Sequence, residues 1–254
     1  MRRGWIVAPL IFAAPAASAQ LSSAALEQAV ARPPANARLP AALSFLDGNG
    51  QATTLAAVAG GRPLVLLFAD YTCRHICGPG LTLTAGALHD SGLVAGRDYR
   101  VAVIGIDPKD GAADARAMAA RLAGMPDVAR ATTLLRGSAG TIAAATRALG
   151  YGAVYDPASD QFAHDASVYL FAADGRLAAL VPEIGLRPEA LRAGLTGGAP
   201  APGFGQRLAH LCYGLDALAG RYDGAIVVVL RGLALLAIVG GAMLVLRARR
   251  RDAA

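Results

Sequence analysis

Apolar positions along the chain alternate between short continuous runs and longer periodic stretches. Leu64-Val65-Leu66-Leu67-Phe68 is a continuous apolar run of strand length, and Tyr99 to Ile106 is a second, with Val101, Val103 and Ile106. Two turn signals sit between strand-like segments. Asp47-Gly48-Asn49-Gly50 separates Leu43–Leu46 from Thr53–Val58, and Ala173-Asp174-Gly175-Arg176 separates Val168–Ala172 from Leu177–Val181. Helical stretches are expected at Pro79–Asp90, Asp110–Leu122, Ser138–Leu149 and Pro188–Leu195, with a short strand at Thr133–Leu135. Ser138 is a capping residue and Gly150 a helix stop. Strands alternating with helices, then a terminal hairpin and helix, predict an α/β domain at 39–196, its mixed β-sheet flanked by helices.

The two ends carry a different pattern. Arg2 and Arg3, the apolar stretch Trp5–Ala17 and the small residues Ala17-Ser18-Ala19 read as a signal peptide over 1–19. Residues 20–38 read as a flexible lead-in, with Pro33-Pro34 ending any helix begun near Ser23. Beyond the domain, 197–223 is a Gly/Pro/Ala linker and juxtamembrane segment. Residues 224–246 are apolar except Arg231 and long enough to span a bilayer, and 247–254 hold four arginines. This pattern predicts one C-terminal transmembrane helix in a bacterial inner membrane, the domain outside the cytoplasm in the periplasm and the basic tail inside.

Charge agrees with that plan. The formal net charge is +6, of which the leader arginines and the tail account for all but +1. The basicity therefore reports targeting, and it excludes a nucleic-acid-binding face as its cause.

Chemistry concentrates at Cys73-Arg74-His75-Ile76-Cys77, directly after the first apolar run. If a helix begins near Cys73, the two sulfurs lie on one face, and the helix N-terminus lowers the thiol pKa values. A structural disulfide across so short a loop would stabilise weakly. A dithiol at the end of the first long strand matches the thioredoxin-like plan. In that plan the loop holding His164, just before Val168–Ala172, returns beside the strand-to-helix turn. Cys73, Cys77 and His164 then converge, and two thiolates with an imidazole suit copper and also accept zinc. Asp70 and Asp165 flank this site, and a carboxylate beside His164 is a candidate for fixing its tautomer. Cys212 is left over near the membrane beside His210; it is a second metal contact, an intermolecular thiol or a packed apolar residue.

From about Leu39 to Leu195 the chain resembles the Sco/SenC family of copper proteins, which assist assembly of the copper centre in respiratory oxidases. The resemblance rests on Phe68 through Cys77, on Gly105-Ile106-Asp107-Pro108 with Asp110 after it, on Gly137-Ser138, and on His164 ahead of Ser167-Val168-Tyr169-Leu170 and Asp174-Gly175-Arg176. It implies one copper ion on Cys73, Cys77 and His164, with Asp107-Pro108 near the metal. It further implies delivery to a membrane-bound oxidase subunit, with other copper chaperones or a thiol reductant as further partners. The chain departs from the family pattern in placing Arg74 and Gly78 where proline is common, Asp70 where glycine is common, and Ala163-His164-Asp165 where aspartate usually precedes histidine. Its expected anchor is C-terminal instead of N-terminal.

The competing reading is a thiol–disulfide oxidoreductase acting through Cys73 and Cys77. It shares the fold and the pair but expects two residues between the cysteines, where this chain has three. It also assigns His164 no obligatory role.

Overall fold

The structure, a computed structural model, describes residues 21–73, 77–157, 160–183, 186–198 and 233. The expected signal peptide and basic tail lie outside the described residues, as does all of the expected transmembrane helix except Leu233, together with His75, His210 and Cys212. Among the described residues no helix is long and apolar enough to cross a membrane. The chain divides into two compact units, Met1–Ala201 and Pro202–Ala254. Of the second, only Leu233, in a helix, is described.

The core of the first unit is a sheet built on β3 (Leu64–Ala69), all six of whose residues are buried. β4 (Arg100–Gly105) pairs with it in parallel, Leu64 opposite Arg100 through Ala69 opposite Gly105. β5 (Thr132–Leu135) continues the parallel side from β4. On the other side β8 (Ser167–Phe171) runs antiparallel to β3, and β9 (Leu177–Pro182) antiparallel to β8, giving the order β5-β4-β3-β8-β9.

Burial on both faces explains the unbroken apolar runs. Val65, Leu67 and Ala69 face a cluster formed with α3 (Cys77–His89), α4 (Ala112–Ala119), α5 (Pro126–Ala131) and α7 (Pro188–Leu195). Leu64, Leu66 and Phe68 face the opposite cluster, shared with α2 (Leu55–Ala59), α6 (Ala139–Leu149), Tyr169 and Phe171. Each fully buried leucine, valine or phenylalanine contributes about 1.5–3 kcal/mol to this sandwich. The result is the expected mixed α/β plan of thioredoxin type.

Several elements differ from expectation. The hairpin β1 (Ser44–Leu46) and β2 (Ala52–Thr54) is present, but Leu55 to Ala59 is helical and does not continue the strand. The Thr54 hydroxyl caps that helix by accepting from the Ala57 N–H, and Gly60 ends it in the left-handed region. The Asp110–Leu122 helix is shorter, α4 giving way to a 3-10 turn at Ala120–Leu122. α5 and the antiparallel hairpin of β6 (Ala153–Asp156) and β7 (Gln161–His164) were not expected.

The segment expected to be a flexible lead-in is docked on the domain. It contains α1 (Ser23–Gln28), capped by Ser22, and its Arg32 N–H donates to the Gly150 carbonyl at 2.7 Å. A Cβ at Gly150 or Gly152 would collide with the backbone of Arg32 or Gln28, so these glycines permit the contact.

Candidate metal centre

The parallel strands β3 and β4 end side by side, and their following loops form one end of the sheet. Because β8 is antiparallel to β3, the residues entering β8 arrive at that same end. This topology brings His164, the last residue of β7, onto the dithiol: its Nε2 lies 3.1 Å from the Cys77 sulfur. The two cysteines are thiols, and their side chains share a hydrogen bond.

The helix begins at Cys77, not near Cys73, so the shared-face argument does not describe how the thiols meet. Cys73 sits in the preceding turn, its N–H donating to the Asp70 carbonyl at 3.2 Å. Cys77 is buried and Cys73 half-buried. The expected lowering of the Cys77 pKa is reversed: burial pushes it well above the ordinary thiol value, and the neighbouring Cys73 adds to the rise. A backbone hydrogen bond from Asp70 opposes this and loses.

The flanking carboxylates serve the backbone. Asp70 Oδ1 accepts from the N–H and hydroxyl of Thr72, both at 2.9 Å, which tightens the turn into Cys73. Asp107 likewise accepts from the Lys109 N–H at 2.8 Å, so its carboxylate caps its own turn. Asp110 accepts from the Tyr71 N–H, and burial pushes its carboxyl up to about 7. The Tyr71 hydroxyl bridges Val103 within β4 and Leu135 at the end of β5.

At His164 the expectation of a carboxylate partner is corrected. The Asp165 side chain accepts from the Ala31 N–H at 2.9 Å, and the Asp165 backbone carbonyl, not its carboxylate, lies 2.9 Å from His164 Nδ1. The Tyr151 hydroxyl lies closer, 2.6 Å from Nδ1, and donates to the same carbonyl at 2.9 Å. Tyr151 is buried and stacked on Phe68 of β3, ring centroids 4.1 Å apart. No spacing rule relates Tyr151 to His164; the β6–β7 hairpin folds the chain back to join them. Glu183, after β9, is a second unforeseen neighbour. Its carboxylate fills the space a Cβ at Gly80 would occupy, and burial raises it to about 7, with Asp165 adding to the rise. His89, in the last turn of α3, pairs with Asp127 of α5 at 3.0 Å.

Among the described residues no group of three or more His, Cys, Asp or Glu side chains is placed to hold a metal ion. Two neighbouring thiols, with an imidazole nitrogen on one sulfur, still bring sulfur and nitrogen donors to one place. That donor chemistry fits copper.

A model of the SCO1/SenC family matches residues 31–196. No curated protein sequence matches the chain. Among solved structures, a putative electron transfer protein from Aquifex aeolicus superposes with a TM-score of 0.54 at 16% identity, covering 63% of this chain and 90% of its own. Bradyrhizobium japonicum ScoI with copper bound superposes with a TM-score of 0.50 at 24% identity, covering 66% and 98%. BsSco, described as a member of the Sco family of cytochrome c oxidase assembly proteins with a disulfide switch, gives 0.50 at 19%, covering 66% and 96%. These likenesses concern the fold, whereas the family match takes in the dithiol, the histidine and the whole sheet between them: the chain belongs to the SCO1/SenC family.

Proposed function

We propose that this protein binds one copper ion through Cys73, Cys77 and His164 and delivers it to, or prepares, the copper centre of a respiratory cytochrome oxidase. The observation that carries the reading is the 3.1 Å approach of His164 Nε2 to the Cys77 sulfur, with the Cys73 thiol hydrogen-bonded to that same sulfur. Family membership supports it, as do the copper bound in the Bradyrhizobium relative and the oxidase-assembly role given for BsSco.

Copper is cargo in this reading. Thiolates are the ligands, so uptake releases the thiol protons and weakens as pH falls. The half-buried Cys73 offers the accessible sulfur, while Cys77 and His164 hold the inner side. The leader and the apolar stretch at 224–246 support a site held at the periplasmic face of a membrane, where tethering raises its concentration near a membrane-bound oxidase subunit.

The hydrogen-bonded thiol pair also supports a second reading, thiol–disulfide exchange. One thiolate attacks a substrate disulfide and the other resolves the mixed disulfide. The pair is oxidised by two electrons while the substrate is reduced to two thiols.

The test is copper titration of the reduced full chain under anaerobic conditions, for wild type and His164→Ala. One equivalent with thiolate-to-Cu(II) charge-transfer bands, lost in the variant, is the expected result. No tight copper, together with a reversible Cys73–Cys77 disulfide in both proteins, would establish the exchange reading instead.

A further inference from the structure

We propose that Tyr151 is the positioning residue of this site: its hydroxyl fixes His164 with the proton on Nδ1 and the Nε2 lone pair turned toward the Cys77 sulfur. The inference extends the copper reading to a residue outside the ligand set, and its first readout needs no copper.

Three groups meet at Nδ1: the Tyr151 hydroxyl at 2.6 Å, the Asp165 carbonyl at 2.9 Å, and between those two a hydrogen bond of 2.9 Å. The carbonyl can only accept. If the hydroxyl donated to Nδ1, the carbonyl would lose its donor and its lone pairs would face an unprotonated ring nitrogen. With the hydroxyl donating to Asp165 and Nδ1–H donating to the tyrosine oxygen, each group is satisfied. The neutral ring then carries no hydrogen on Nε2, the atom that faces Cys77.

The hydroxyl is itself held in place. The Tyr151 ring stacks on Phe68 at 4.1 Å and tilts against Tyr169, both from the central sheet. Phe68 lies on the strand that leads into Asp70-Tyr71-Thr72-Cys73. One aromatic contact therefore references the histidine to the same strand that positions the cysteines. A ligand histidine is normally oriented through its second nitrogen by a carboxylate, carbonyl or water. Here the Asp165 carboxylate is engaged by the Ala31 N–H, and a tyrosine takes the role.

The test uses the full chain, reduced and metal-free, with 15N-labelled histidine. Four imidazoles are present, and His164 is assigned by its loss in His164→Ala. Wild type is expected to show His164 protonated on Nδ1, with that proton protected from exchange. Tyr151→Phe keeps the ring that stacks on Phe68, so a packing role alone predicts no change. Positioning predicts lost exchange protection, mixed tautomers, and a copper dissociation constant 10–100-fold higher in chelator competition. A wild-type His164 protonated on Nε2 would overturn the proposal without recourse to any variant. So would a Tyr151→Phe protein with unchanged exchange. Should the tautomer respond as expected in a chain that takes up no copper, the copper reading fails and the positioning role stands.

Discussion

The Cys77 sulfur and His164 Nε2 stand 3.1 Å apart although 87 residues separate them in the chain. Their meeting depends on one strand reversal, β8 against β3, which returns the chain to the end of the sheet where the dithiol begins. The two thiols of the site are unequal as a result: Cys77 is enclosed beneath His164, and Cys73 lies nearer the surface.

That inequality sets an order of reactivity. Burial, then the neighbouring Cys73, raises the Cys77 pKa above the thiol norm of 9, so at pH 8 its thiolate fraction falls below that of an ordinary cysteine. In the reduced, metal-free chain, iodoacetamide is expected to label Cys73 at least about tenfold faster than Cys77. Peptide mapping by mass spectrometry at short times reads the order directly. Faster labelling of Cys77 would remove the burial argument.

Glu183 predicts a pH dependence of stability. Burial raises its carboxyl from 4.5 to about 7 in the folded chain, so between those values the folded state holds more protons than the unfolded one. The contribution of Glu183 to stability is thus fully present below about pH 4.5 and is lost as pH rises through 7. Asp110, also raised to about 7, adds a loss of the same sign. Glu183→Gln removes the first of these. It is expected to be more stable than wild type by up to about 3 kcal/mol at pH 8, the gap closing toward pH 4. Urea unfolding at the two pH values checks this, and an equal gap at both would exclude titration as the cause.

Tyr71 ties β4 to β5 two residues before Cys73. Its hydroxyl lies 2.7 Å from the Val103 carbonyl and 2.9 Å from that of Leu135, and accepts from the Leu135 N–H at 3.0 Å. Tyr71→Phe leaves those buried backbone groups short of a partner and is expected to cost about 1–3 kcal/mol. Chemical denaturation measures the loss. A change within about 0.5 kcal/mol would mean that water or backbone adjustment replaces the hydroxyl.

These cases show what was legible in the sequence. β3, β4, α6, the terminal hairpin and α7 follow from unbroken apolar runs, Ser138 and Gly150 caps, and the Asp174-Gly175 turn, because each signal is local. That His164 comes back onto Cys77 was readable from residue type and order along the chain. α2 was not, because Thr53–Val58 has the composition of a strand and only the Thr54 cap turns it into a helix. Tyr151 and Glu183 were invisible for a deeper reason. Their roles depend on side chains meeting across the β6–β7 hairpin and across Gly80, and no periodicity encodes such contacts.

The docking of the N-terminal segment yields the last prediction. Gly152 lies against the backbone of Gln28 and Ala29 so closely that a Cβ there would overlap both, and backbone cannot move aside as a side-chain tip can. The same segment supplies the Ala31 N–H that occupies the Asp165 carboxylate beside His164. Gly152→Ala is therefore expected to displace residues 28–32 while leaving the sheet intact, since Gly152 contributes nothing to the central strands. Limited thermolysin digestion should then cut within residues 24–31 at least about tenfold faster than in wild type, where local opening is required first. Circular dichroism should remain close to that of wild type. With its backbone donor gone, Asp165 becomes free to compete for His164, and copper affinity should fall along with protection of the segment. A variant cleaved faster but with unchanged copper affinity would show that the segment covers the domain without tuning the site.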